Sequence, residues 1–251
     1  MLWGGLPKWR WAGPTVNQGG PMKEHRGIVL HIAEGYFDGT ISWCRNPKSD
    51  TSAHFITGRD GRIAQLVDTE TTAWTQQDGN GHWLSVENEG FTRGHDLHQP
   101  GWEKLTAAQV DANAAILVQA HLVYGIPLQV TSDPDGTGLG HHSMGAEHGE
   151  RWGHRDCPGP PIIAQKQGIV DRAVALLVAS MEVDMRPYLT IKHKSYPHTF
   201  ALFPSGTVRW MGPAETKAML AQNVPTVTTD NNDEVARLAR LAGIAVWPPA
   251  K

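Results

Sequence analysis

Apolar positions in the first half of the chain fall into short runs cut by Gly, Pro, Asn and Asp, the punctuation of strands rather than of long helices. Gly27–Ala33, GIVLHIA, is continuous apart from His31 and predicts a strand buried on both faces. Ser52–Ile56 and Arg62–Val67 flank the tight-turn sequence Gly58–Gly61, GRDG, and predict paired strands. Trp83–Glu89, WLSVENE, alternates, so that Leu84, Val86 and Asn88 share one face and Ser85, Glu87 and Glu89 the other. Between these runs Asp38–Cys44 predicts a short helix with Asp38 as its cap, stopped at Asn46-Pro47. Residues 1–26, interrupted by Pro14, Asn17, Gly19 and Gly20, predict an irregular arm.

The pattern changes at Thr106. TAAQVDANAAILVQAHLVYG pairs Thr106 with Gln109 at capping-box spacing and stops at Gly125. Val110, Ala114, Leu117 and His121/Leu122 recur at helical spacing, so that face is expected to pack on the sheet. Ile126–Leu128 predicts an exit strand, and Ile162–Met181 a second amphipathic helix. Beyond it, Tyr188–Ile191, Phe200–Phe203, Thr207–Met211 and Thr226–Thr228 predict strands, with helices over Ala214–Gln222 and Asp233–Ala242. Val183–Pro187 marks the expected boundary. Residues 1–183 form one α/β domain and 187–251 a small α+β domain, a size that is marginal for independent folding.

Composition narrows the function classes. The chain of 251 residues is 40% hydrophobic and 19% charged, with mean hydropathy -0.36. Its runs fall short of the ~20 apolar residues of a membrane span. MLWGGLPKWRWAGP lacks the continuous apolar core of a secretory signal, so the expected place of synthesis is the cytoplasm. Cys44 and Cys157 alone do not make a disulfide framework. A net charge of -3 argues against a general nucleic-acid binder. The charge is uneven. Arg186–Lys251 carries eight basic and four acidic residues, which leaves 14 basic and 21 acidic of the 22 and 25 for the rest. An acidic body with a basic tail points to two units with different partners.

The candidate chemistry centres on Gly138–Pro161, GLGHHSMGAEHGERWGHRDCPGPP, with four His and one Cys in a Gly- and Pro-rich segment. Catalytic zinc sites take three ligands from His, Cys or carboxylate and keep a fourth position open. His31, in a buried strand, needs partners for both ring nitrogens, and the set His31, His142 and Cys157 meets that pattern. His141, His148 and His154 compete with His142, and spacing alone does not choose among them. Glu87 is then placed to act as a proton acceptor on a sheet face.

The order of GIVLHIAEG (27–35), TSAHFITGRDGRIAQLVDTETTAWT (51–75), SVENEG (85–90), GHHSMG and HRDCPGP (within 140–160) resembles the zinc-dependent N-acetylmuramoyl-L-alanine amidases. This is the family of T7-type lysozyme, the anhydro-muramoyl amidases and the peptidoglycan recognition proteins. The resemblance covers about residues 20–180. It implies a central mixed β-sheet flanked by helices, with Zn2+ in a groove on the sheet. It makes His31 the first metal ligand and Cys157 the third. The family's second His ordinarily lies some eight residues before the Cys. Here that position is Gly149, and a His before Ser-Met-Gly points instead to His142. The resemblance makes Glu87 the catalytic base, since the Tyr used by the T7 branch is replaced by Ala53. It gives Arg155, two residues before the Cys, the place of an oxyanion-stabilising Lys or Thr. His54 and Trp74 fall on groove-lining positions. The implied substrate is the amide joining muramic acid to L-alanine in peptidoglycan. The implied setting is a phage endolysin released through a holin, with residues 187–251 binding an anionic wall polymer. A non-catalytic peptidoglycan-binding module, a recycling amidase and a zinc-stabilised structural domain are the rival readings.

Overall fold

Gly27–Ile32 (β3) and Trp83–Asn88 (β7) lie side by side and parallel, with His31 in register with Glu87. They are interior strands of a six-stranded sheet in the computed structural model, which describes residues 9–149, 152–185, 189–193, 199–202, 208–211 and 226–229. Gly138–His141 (β8) flanks β3, and Phe55–Thr57 (β4) flanks β7, all four running parallel. Ile63–Gln65 (β5) returns antiparallel to β4, and Arg10–Trp11 (β1) adds a parallel edge. The sheet is therefore mixed, in the order β1-β5-β4-β7-β3-β8.

Alternation along the strands divides the sheet into two differently covered faces. One face carries Ile28, Leu30, Ile32, Leu84 and Val86, packed with Ala112, Ile116 and Leu117 of α2 (Ala107–Tyr124) and Ile169, Val170 and Ala173 of α5 (Lys166–Met185). Each fully buried aliphatic side chain there contributes about 1.5–3 kcal/mol. The second face has two separate covers. Ile56, Ala64 and Leu66 pack with Phe37, Ile41 and Cys44 of α1 (Phe37–Arg45). Val29 and Trp83 pack with Trp152 and with Met144 of the short α3 (Ser143–Glu147). His31 and Glu87 share this face and belong to neither cluster.

The local signals of α2 act as expected. The Thr106 hydroxyl accepts from the Gln109 N–H while the Gln109 side chain accepts from the Thr106 N–H, and Gly125 ends the helix at φ +71°. Such a cap is worth about 1 kcal/mol. The buried stripe is rotated from the expected one, because Leu122 and Val123 are exposed while Gln109 and Asn113 are buried. The reason is polar. Asn113 Nδ2 donates to Asn88 Oδ1 (2.7 Å), Thr57 Oγ1 donates to the same oxygen (2.6 Å), and Asn88 Nδ2 donates to the His31 carbonyl (2.9 Å). This buried network ties α2 to the strand that carries His31.

Several expectations are corrected. The arm before Gly27 contributes β1 and also Gln18–Pro21 (β2), which pairs with Thr71–Ala73 (β6). Tyr36, not Asp38, occupies the cap of α1, and it makes no side-chain capping bond. Ser52–His54 lie outside the β4 ladder, held by backbone bonds to Trp74 and Leu66 and by side-chain bonds to Thr75 and Ser85. Ile126–Leu128 forms no strand, because Pro127 has no N–H for a ladder and Gln129 folds back onto its carbonyl. The helix expected at 162–181 is two helices, α4 (Pro160–Ile163) and α5. Gln165 sits at the break, with its amide bonded to both the N–H and C=O of Leu105.

The chain divides into two compact units, Gly5–Leu177 and Met1–Gly4 with Val178–Lys251. In the second, Leu189–His193 (β9), Thr199–Leu202 (β10), Val208–Met211 (β11) and Thr226–Thr229 (β12) form a sheet in the order β11-β10-β9-β12. The helices expected at 214–222 and 233–242 lie outside the described residues. Among the described residues no helix is long and apolar enough to cross a membrane.

Candidate metal centre

Parallel β7, β3 and β8 end together, and ligand sites in such sheets lie beyond the carboxyl ends of the strands. His31 is the penultimate residue of β3. His142 follows β8 directly, its N–H bonded to the Leu30 carbonyl (3.2 Å). Cys157 comes from the loop before α4 and is held from two sides. Its carbonyl accepts from the Ser143 N–H (2.8 Å), and its own N–H donates to the His154 carbonyl (3.1 Å). One ligand atom from each of His31, His142 and Cys157 lies within 4.8 Å of the others, and the Cys157 sulfur is 3.8 Å from His31 Nδ1. Donors on a tetrahedral zinc stand roughly 3.3–3.6 Å apart, so small side-chain adjustments close this set on an ion.

The protonation states suit such use. Burial pushes the His31 imidazole well below its usual pKa, with His142 adding to the effect. His142 is pushed down to about 4, again mainly by burial. Both rings are neutral near pH 7 and offer a lone pair. His142 Nε2–H donates to the Trp152 carbonyl at 2.6 Å, which leaves Nδ1 free. Burial, reinforced by Glu87, raises the Cys157 thiol, so a thiolate at this place calls for a cation beside it.

Glu87 Oε1 is 3.9 Å from His31 Nδ1, and Oε2 has no hydrogen-bond partner. Burial first, then the charge of Glu34, raises its carboxyl to about 8. An orphaned carboxylate oxygen at the edge of a donor cluster is an acceptor awaiting a proton. The cluster and Glu87 open onto a cavity of about 330 Å³, which Glu34, Thr75, Thr92 and His154 also line. Glu34 adopts φ +47° there, its carboxylate accepting from the Thr92 N–H at 3.1 and 3.2 Å.

The competing His residues separate cleanly. His141 faces away, with Nδ1 accepting from the Lys166 ammonium (2.9 Å) and Nε2 3.6 Å from Glu147. His148 is exposed at the end of α3. His154 is exposed at the cavity rim, its ring 5.5 Å from that of His142. Arg155 is exposed, two residues before the Cys157 ligand position.

The groove role expected for His54 is corrected. It is 0% exposed, its Nδ1 accepts from the Ser85 N–H (3.1 Å), and its Nε2–H donates to the Thr71 carbonyl (3.0 Å). It is a buried strut joining the strands behind the cavity, with no surface to offer a substrate. Trp74 is half-buried and outside the cavity lining. Its backbone accepts from the Ser52 N–H and the Thr51 hydroxyl, and its N–H donates to Ser52 Oγ. Sequence reasoning missed Gln76, Trp152 and Glu34. Gln76 Oε1 lies 3.2 Å from His31 Nε2, a contact that no residue pattern announces.

The parallel strands of a mixed α/β sheet thus end at a His/His/Cys constellation that could hold a metal ion, with a carboxylate adjacent. The chain matches the N-acetylmuramoyl-L-alanine amidase family (Amidase_2) over residues 21–160 and belongs to it. It is 33% identical over 90 residues to N-acetylmuramoyl-L-alanine amidase A of Achromobacter lyticus, covering 36% of this chain and 47% of that protein. The chain thus spans about half the length of this curated relative. The fold is shared with the hydrolase AmiA of Staphylococcus aureus, solved in complex with its ligand. The TM-score is 0.53 at 17% identity, over 70% of this chain and 87% of that one.

Proposed function

We propose that the chain is a Zn2+-dependent N-acetylmuramoyl-L-alanine amidase that hydrolyses the bond between the lactyl group of muramic acid and L-alanine in peptidoglycan. The observation that carries this reading is the juxtaposition of the His31/His142/Cys157 donor set with the unpartnered Glu87 oxygen. Two imidazoles and a thiol are a donor set that suits zinc. Zn2+ held by these three residues supplies Lewis acidity toward a carbonyl oxygen and toward water. Glu87 takes the proton from the attacking water and returns it to the leaving amine, a task suited to a carboxyl whose burial raises its proton affinity. Arg155 offers a fixed positive charge for the oxyanion. The buried Asn88–Asn113 network holds the backbone of His31, which fixes the donor set before substrate arrives.

The biological setting proposed is lysis of a bacterial host by a phage endolysin made in the cytoplasm and released through a holin. The basic stretch 187–251 would act as a wall-binding domain, attracted to anionic polymers. Its excess of seven basic over four acidic residues supports that reading. Mass spectrometry of digested cell walls tests the chemistry. New L-alanine amino termini on stem peptides are expected, and new reducing sugars in their place would refute the bond assignment. A fluorescent fusion of the full chain is expected to bind walls in a salt-sensitive manner, and binding unchanged by removal of 187–251 would refute the anchoring role.

A further inference from the structure

We propose that Gln76 is a positioning residue that fixes the tautomer of His31, so that the ring presents Nδ1 to the metal centre. Gln76 is 1% exposed and sits where the chain turns after Thr75. Its Nε2 donates to the Trp83 carbonyl (3.0 Å) and the Gly79 carbonyl (3.4 Å). Both partners are pure acceptors, so the amide has one allowed orientation. Flipping it would set Oε1 against two carbonyl oxygens and abandon both bonds. Oε1 is thereby directed at His31 Nε2, 3.2 Å away, and an oxygen there accepts only from a protonated nitrogen. In a neutral imidazole the other nitrogen then carries the lone pair. That nitrogen, Nδ1, faces the Cys157 sulfur at 3.8 Å and Glu87 Oε1 at 3.9 Å.

The turn itself is braced. Asn80 Oδ1 accepts from the N–H of Thr75 (2.9 Å) and of Gln76 (2.7 Å), and the Gly79 N–H closes back on the Gln76 carbonyl (3.0 Å). Gly79 lies directly on the Trp152 indole, where an added Cβ would stand 2.6 Å from the ring. Trp152 supplies the carbonyl that takes the His142 Nε2–H. The acceptors that orient the two imidazoles therefore belong to one packed unit. Partners of this kind set the tautomer and basicity of a metal-ligating His, and their loss typically costs about 10–100-fold in metal affinity.

The role of Gln76 as an outer partner of a metal ligand rests on the zinc reading, but the tautomer is defined in metal-free protein and is measured without it. Long-range 1H–15N spectra of chelator-treated protein carrying 15N-labelled His are expected to show His31 protonated on Nε2 alone. Gln76→Leu removes the acceptor and is expected to give a mixture of tautomers, with Zn2+ affinity by chelator competition about 10–100-fold weaker. A His31 ring protonated on Nδ1 in the unaltered protein would overturn the proposal whether or not any variant folds. So would a folded Gln76→Leu protein with unchanged tautomer and affinity. Unaltered protein with the expected tautomer that binds no zinc would uphold the positioning of His31 and remove the zinc reading instead.

Discussion

Glu87 and His31 occupy one rung of the parallel β3–β7 ladder, side chains on the same sheet face, with Glu87 Oε1 3.9 Å from His31 Nδ1. Register alone thus brings the proposed proton acceptor to the first proposed ligand. Replacing Glu87 by Gln keeps the shape and removes the base. Wall hydrolysis is expected to fall by about 10²–10⁴-fold, the usual contribution of general acid–base catalysis, while bound zinc stays near one ion per chain. Turnover on purified walls together with elemental analysis checks both halves. Loss of metal along with activity would place Glu87 among the ligands.

Cys157→Ser replaces a soft donor with a poorly acidic hydroxyl. Zinc affinity is expected to drop by more than the 10–100-fold typical of outer partners. The far-ultraviolet circular dichroism should not change, because the strands around the site are packed by residues on the opposite face. Dialysis against a graded chelator series measures the affinity. In the unaltered protein, complete chelation should abolish hydrolysis and added Zn2+ should restore it.

His54 predicts a dependence of stability on acid. Its pKa is pushed down to about 4 by burial, against 6.5 for an ordinary His, so the unfolded chain takes up a proton at a pH where the native one does not. Stability should therefore decline as pH falls from about 6.5 to about 4, by up to about 3 kcal/mol, and this contribution should level off below. Urea titrations across this range for the unaltered chain and His54→Asn check the sign. The variant should be less stable at pH 7, since it loses the bonds to Ser85 and Thr71, and should show a flatter slope.

Gly79→Ala places a methyl 2.6 Å from the Trp152 ring. Overpacking of this kind costs about 1–3 kcal/mol, and the displaced indole carries with it the carbonyl that orients His142. Both the thermal midpoint and zinc affinity are expected to fall. A variant of normal stability and affinity would show that the Trp152 contact is slack.

What the sequence made legible was local. The box at Thr106 and Gln109 and the stop at Gly125 are short-range devices, and α2 begins and ends on them. The alternation in Trp83–Asn88 assigned Glu87 to its face correctly. Strand order lay beyond reach, and with it the choice between adjacent His residues. β8 pairs with β3 so that His141 opposes Leu30, which turns His141 to the Lys166 side and leaves His142 with His31. One residue of register decides that question, and no composition encodes it. His54 was misplaced for a related reason. The segment leading into β4 is buried throughout, so a polar residue there reads the same whether it faces a ligand or ties two strands together. Gln76 left no trace because an amide becomes a positioning group only through what the fold sets against it.

The single hydrogen bond from the Ser143 N–H to the Cys157 carbonyl clasps both ends of the segment between the second and third donors. The same segment reaches inward twice more, through the Trp152 carbonyl to His142 and the His154 carbonyl to Cys157. The second and third donors are therefore mechanically joined, and a substitution that shifts one is transmitted to the other through the backbone they share.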